Sequence, residues 1–383
     1  MVLKKIKDEL GPSLYFTERQ TRRSRLTASA SKISTADETN DAKEMSEFES
    51  KELLSSSPQS NRQHDLMISK RRRSQFKTEN DSKDWIAAAK TKKQRVSRVT
   101  STETLPTRPP PHFWPMYNQI KKMRSRIKAP VDEMGCANVA TAVSGLSDGK
   151  VYRFQCLISL MLSSQTKDEV NFQVMKILQD YFISKGYEHG LSLEAILDID
   201  ELVLDQLIYK VGFHRRKATY IKQTAIILHE KYNGEIPRTI EEITSFPGVG
   251  PKMGFLLLQI AWNINTGIGV DTHMQRMARI FKWVPASKNM DPEYIRRCFE
   301  SMLWDHKEEW SRINPILVGF GQVVCLPQRP RCDVCTLSRT GICPAVDKAL
   351  LKKADMDKKN GIKIDSKSRG DLTNLIKDIE DLC

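Results

Sequence analysis

One short stretch constrains this chain more than any other: Phe246-Pro247-Gly248-Val249-Gly250-Pro251-Lys252, read together with Asp271. Residues 239–246 read as a helix opened by a capping box, with Thr239 at the N-cap and Glu242 three residues on. Pro247, Gly248, Val249 and Gly250 then make a tight turn. Pro251 suits the first position of a second helix, to which residues 255–262 supply an apolar body. The result is a helix-hairpin-helix. Its glycines let backbone come close to a ligand, and the new helix directs N–H groups outward, a ready site for phosphate. Gly248, Val249 and Gly250 are therefore candidate contacts. Lys252 falls in the first turn of the second helix, where the positive end of the helix dipole favours a neutral, nucleophilic amine over an ammonium.

The phosphate reading agrees with the charge. A net charge of +14 calls for a polyanionic partner, nucleic acid or an anionic membrane surface. No apolar run approaches the length of a membrane span, so nucleic acid leads. With 383 residues, 39% of them hydrophobic, the chain has enough apolar material for a sizeable core and room for two or three domains. Its eight cysteines, four of them bunched near the C-terminus, do not resemble a secreted disulfide framework. An intracellular, reducing compartment is expected.

Residues 1–112 are expected to be a disordered basic tail, rich in Ser, Thr, Lys, Arg and Glu without sustained periodicity. Lys70-Arg71-Arg72-Arg73 and residues 90–98 are basic clusters of the nuclear-localisation or nucleic-acid type. Arg22, Arg23 and Arg25 among serines leave a mitochondrial destination open beside the nuclear one, with Asp8, Glu9 and Glu18 counting against it. The prolines of residues 106–115 predict an extended linker. Beyond it the pattern is helical, with helices expected over residues 116–127, 151–162, 170–183, 200–208 and 216–232, one opening at Asp291-Pro292, and one over 313–324. Convincing strands are few, so the fold class is all-α. Residues 347–383 form a charged C-terminal tail whose last part, from 371, reads equally as a short amphipathic helix or a frayed end.

Cys325, Cys332, Cys335 and Cys343 form a C-x6-C-x2-C-x7-C array. Four thiolates this close in sequence point to a metal site, and spacing alone leaves zinc and a four-iron cluster equally open. Arg329 and Arg331, inside a loop that a metal would fix, are candidate phosphate contacts. Cys136, Cys156 and Cys298 are isolated, and Cys156 in its apolar helix is expected to be core.

Residues 113–345 resemble endonuclease III, a DNA glycosylase and abasic-site lyase of the helix-hairpin-helix superfamily, and most of all its animal homologues. The matching blocks are Leu162-Ser163-Ser164-Gln165-Thr166-Lys167-Asp168, Val211-Gly212-Phe213, the hairpin through Met253, Val270-Asp271-Thr272-His273 and the cysteine array. The resemblance implies a two-domain architecture. A six-helix domain of residues 146–264 would end in the hairpin, and residues 113–145 would join 265–346 as an iron-sulfur cluster domain. DNA would lie across the groove between them. The resemblance further implies Lys252 as nucleophile, Asp271 as its partner carboxylate 271 − 252 = 19 residues on, and a [4Fe-4S] cluster on the four cysteines. The family's last cysteine interval is usually shorter than the seven residues here, so the loop before Cys343 is expected to bulge.

The implied substrate is double-stranded DNA bearing oxidised pyrimidines or abasic sites, handled by a monomer. The damaged base must leave the stack. By resemblance, Gln165 and the apolar wedge Phe213 fill the gap. Asp271 stabilises positive charge on the sugar, although its position also suits a helix cap. His273 and Arg276, three residues apart, are expected to support Asp271 or contact the DNA backbone. Three other readings stay open: an adenine-mismatch glycosylase, a thymine or uracil glycosylase, and a non-catalytic helix-hairpin-helix module with a structural metal. The first two usually lack a lysine at position 252. Nicking of abasic DNA separates the third.

Overall fold

Several helices begin where the sequence supplies a capping side chain. In the computed structural model, which describes residues 104–287, 290–362 and 370–380, every Asp or Ser N-cap named here accepts a backbone N–H from the turn it opens. The basic clusters at 70–73 and 90–98 and the arginines near 22 lie outside the described residues. From the N-terminal side come α1 (Phe113–Arg124), α2 (Pro130–Met134), α3 (Cys136–Ser144) and α4 (Gly149–Ser163), the last capped by Asp148. Then follow α5 (Asp168–Ser184), α6 (Leu193–Asp198) capped by Ser192, α7 (Glu201–Leu207) capped by Asp200, and α8 (His214–Tyr232). The hairpin pair is α9 (Ile240–Ile243) and α10 (Pro251–Trp262). After it come α11 (Thr272–Ile280), α12 (Pro292–Met302), a 3-10 turn (Trp304–Glu309) and α13 (Ile313–Val323). The one-turn α14 (Thr336–Arg339), α15 (Lys348–Lys359) and α16 (Thr373–Glu380) complete the described part. Among the described residues there is no strand, only an isolated bridge between Lys128 and Asp371. The fold is all-α, and no described helix is long and apolar enough to cross a membrane.

Two apolar cores organise these helices. One is built by α3 to α10, around residues such as Phe154, Leu157, Leu178, Ile221, Leu228 and Leu258. The other gathers α1, α11, α12 and α13 with the cysteine loop, around Phe113, Tyr117, Trp283, Phe299 and Phe320. Aromatic rings dominate the second core: Phe113 meets Trp283 edge-on at 4.9 Å and stacks on Tyr117 at 5.6 Å. The buried Tyr117 hydroxyl donates to Glu309 at 2.7 Å, and burial together with that carboxylate raises its pKa.

Several details differ from the sequence reading. Pro115 does not exclude a helix, because it stands in the first turn of α1, where a missing N–H costs nothing. The short α3 lies beyond the expected boundary at 146, since Val139 and Ala140 pack into the same core as α4. The last segment is not frayed: Leu372, Leu375 and Ile376 are buried in the second core.

Candidate active site and nucleic-acid interface

The hairpin is formed as its residues dictate. Thr239 Oγ1 bonds the Glu242 carboxylate at 2.6 Å and accepts the Glu242 N–H at 3.4 Å, closing the capping box. Helix α9 is nevertheless a single turn, because Ser245 and Phe246 bend back on Glu242 and Ile243. Gly248 sits at φ +77°, and a Cβ there would meet the Tyr220 ring at 2.5 Å, so only glycine closes this turn. Gly250 is different. It is the N-cap of α10 in an extended conformation, and a Cβ there would meet nothing within 4 Å. Val249 turns inward, 6% exposed, with its N–H bonded to Phe246 O.

Lys252, in the first turn of α10, and Asp271, at the head of α11, line one cleft of about 1470 Å³. What brings them together is the segment after α10, which runs so close that a Cβ on Gly269 would lie 3.2 Å from the Lys252 carbonyl. Asn314 Nδ2 fixes that segment by donating to Gly269 O at 2.6 Å. Asp271 is 8% exposed, and its Oδ1 accepts the Met274 N–H at 2.7 Å. It therefore caps α11, as its position allowed, with one oxygen, and among the described residues Oδ2 has no hydrogen-bond partner. The Lys252 side chain is exposed and likewise has no ion-pair partner among the described residues. Both groups are available to a substrate in the cleft. Across it, Gln322 on α13 donates to Asp168 at the start of α5 at 2.6 Å, tying the two cores together.

Gln165 and Phe213 stand side by side at the rim of a smaller cavity of about 240 Å³ that also includes Gly248. Both are non-glycine residues in the left-handed region, at φ +52° and +58°, and Phe213 is 55% exposed. An exposed aromatic held in a strained backbone is not core. Beneath them lies a residue that the motif reading passed over. Lys217, 5% exposed, donates to Leu162 O at 2.6 Å, to Ser164 O at 2.7 Å and to Thr166 Oγ1 at 3.3 Å. The signal was present: Lys217 shares the stripe of Ile221, Ala225 and Leu228, where an apolar residue is expected.

The remaining candidates separate. His273 lines the cleft with its ring packed over Gly321 of α13. Arg276 is engaged at the cysteine loop, with Nη1 donating to Cys325 Sγ at 3.3 Å and Nη2 bonding the Cys325 carbonyl. Arg331 is held by Asp333 at 2.8 Å, while Arg329 is exposed with φ +53° and has no ion pair among the described residues.

The four cysteines are free thiols, Cys332 and Cys335 buried and Cys325 and Cys343 partly so. Burial raises the pKa of Cys332, Cys335 and Cys343, and the nearby Cys325 adds to each shift. Cys332 Sγ accepts the Asp347 N–H at 3.5 Å. The seven residues before Cys343 are an ordered turn rather than a slack bulge: α14 occupies four of them, and Ser338 Oγ bonds the carbonyls of Cys332 and Cys335 at 2.6 Å each. Among the described residues no three His, Cys, Asp or Glu side chains are arranged around a single metal ion.

The helix-hairpin-helix thus stands beside a cleft lined by a lysine and a carboxylate. The HhH-GPD superfamily of base excision DNA repair proteins matches residues 158–303. The chain is 46% identical over 240 residues to the endonuclease III homolog of Schizosaccharomyces pombe, a match that covers 63% of this chain and 64% of that protein, under two thirds of its length. It is 43% identical over 256 residues to endonuclease III-like protein 1 of Gallus gallus, covering 66% of this chain and 85% of that one. A solved non-covalent endonuclease III–DNA complex is similar at a TM-score of 0.45 and 24% identity, over 58% of this chain and 99% of that one. The chain belongs to the endonuclease III family.

Proposed function

We propose that this protein is a DNA glycosylase and abasic-site lyase of base excision repair that removes oxidised pyrimidines from double-stranded DNA. The observation that carries the reading is the meeting of Lys252 and the open oxygen of Asp271 in one cleft. A base flipped out of the stack enters the cleft. The neutral amine of Lys252 attacks C1′ as the bond to the base breaks, and the Asp271 carboxylate stabilises positive charge on the sugar. The resulting imine acidifies the C2′ proton. Its loss expels the 3′ phosphate by β-elimination and nicks the strand.

Cys325, Cys332, Cys335 and Cys343 would hold a [4Fe-4S] cluster, and their all-thiol donor set supports that reading. When bound, the cluster supplies a rigid anchor for the loop that carries Arg329. Iron content and visible absorbance of the purified protein test this, and stoichiometric zinc in a colourless protein refutes it. A nuclear location, with a mitochondrial pool beside it, is in keeping with the basic clusters at 70–73 and 90–98 and the arginines near 22.

Borohydride trapping tests the mechanism. The native protein should form a covalent adduct with abasic DNA, and Lys252→Ala should not. An adduct of undiminished yield in Lys252→Ala removes Lys252 as the nucleophile.

A further inference from the structure

Lys217 plays no part in the chemistry above, yet it is a cation buried in the core of α3 to α10. Burying an ammonium costs several kcal/mol unless it is fully hydrogen-bonded, and a leucine at this point of the α8 stripe would cost less. Burial pulls its pKa down to about 8, so the group is charged at neutral pH and all three N–H bonds are made. The acceptors, Leu162 O, Ser164 O and Thr166 Oγ1, belong to one turn and bracket Gln165 on both sides. The Lys217 backbone N–H in turn bonds Phe213 O at 3.0 Å, so the same residue closes the first helical turn after Phe213. The two loops also touch directly: a Cβ on Gly212 would lie 2.9 Å from Gln165 O. Left-handed backbone at a glutamine and at a phenylalanine costs on the order of 1–2 kcal/mol each and persists only where the surroundings enforce it.

We propose that Lys217 is a positioning residue whose buried ammonium locks the Gln165 turn to the Phe213 loop, so that the two side chains enter the duplex as one rigid, two-pronged wedge. This rests on the reading that Gln165 and Phe213 fill the gap left by the flipped nucleotide. The wedge matters only while a stack is being broken. Chemistry on a sugar that is already unstacked does not need it.

The full-length protein and its variants are assayed on two substrates under single turnover: an oxidised pyrimidine paired in a duplex, and an abasic site in a single-stranded loop. Lys217→Met should slow duplex excision by about ten- to a hundredfold while loop cleavage changes less than about threefold. Gly212→Ala, which pushes on Gln165 O from the other side with no change at Lys217, should show the same split and serves if Lys217→Met does not fold. Equal losses on both substrates would mean that Lys217 merely supports the fold, and the proposal fails. If Gln165→Ala and Phe213→Ala slow duplex excision but Lys217→Met and Gly212→Ala do not, the wedge stands and the locking role is wrong. If Gln165→Ala and Phe213→Ala are also without effect, the gap-filling reading itself falls.

Discussion

Asp271 serves two purposes with its two oxygens, and a pair of substitutions separates them. Oδ1 caps α11 through the Met274 N–H at 2.7 Å, whereas Oδ2 has no hydrogen-bond partner among the described residues, in a side chain that lines the cleft. Asparagine keeps a cap oxygen and ranks with aspartate at N-caps, whereas alanine loses the cap at about 1 kcal/mol. In a domain of this size that corresponds to a fall in Tm of roughly 2–4 °C. Asp271→Asn should therefore melt within about a degree of the native protein, or slightly above it, since a carboxylate that is 8% exposed is replaced by a neutral group. Base excision should fall in both variants alike, by about a hundred- to a thousandfold, the loss expected when a charge aimed at the transition state is removed from a shielded site. Differential scanning calorimetry and single-turnover excision make the comparison. If Asp271→Asn excises at the native rate, the carboxylate is only a cap. If it destabilises as much as alanine, the assignment of Oδ1 and Oδ2 to separate tasks is wrong.

Two further outcomes follow from packing. Gly248→Ala places a Cβ 2.5 Å from the Tyr220 ring at φ +77° and should cost roughly 1–3 kcal/mol, while Gly250→Ala meets nothing and should leave Tm unchanged yet weaken duplex binding. Equal melting of the two alanines would contradict the distinction. Leu375→Ala should cost roughly 2–4 kcal/mol in thermal or urea unfolding, because its side chain is 1% exposed in the second core, and an unchanged midpoint would place α16 outside the cooperative unit.

The parts that were legible in the sequence are those with local causes. Thr239 with Glu242, Pro251 and Asp291-Pro292 mark helix ends within one turn of themselves, and the structure places helix ends at each. The pairing of Lys252 with Asp271 was legible because two motifs carried it. What escaped depends on distance along the chain. Lys217 finds its acceptors more than fifty residues away, at Leu162 and Ser164, and Arg276 finds Cys325 forty-nine residues on.

The second core joins α1 to segments that lie far downstream. His112 bonds Phe281 O over a separation of 169 residues, Tyr117 bonds Glu309 over 192, and Gln119 bonds Thr336 over 217. On the ribosome, at about 5–20 residues per second, α1 therefore waits on the order of ten seconds or more for its partners. During that interval Phe113, Met116 and Tyr117 have nothing to cover them. The core of α3 to α10 is complete long before, and can stand as a folded body between the two halves of its unfinished neighbour. A nascent chain stalled shortly after α10 would expose an aromatic helix at one end and offer its hairpin, with Lys252 but not yet Asp271, at the other.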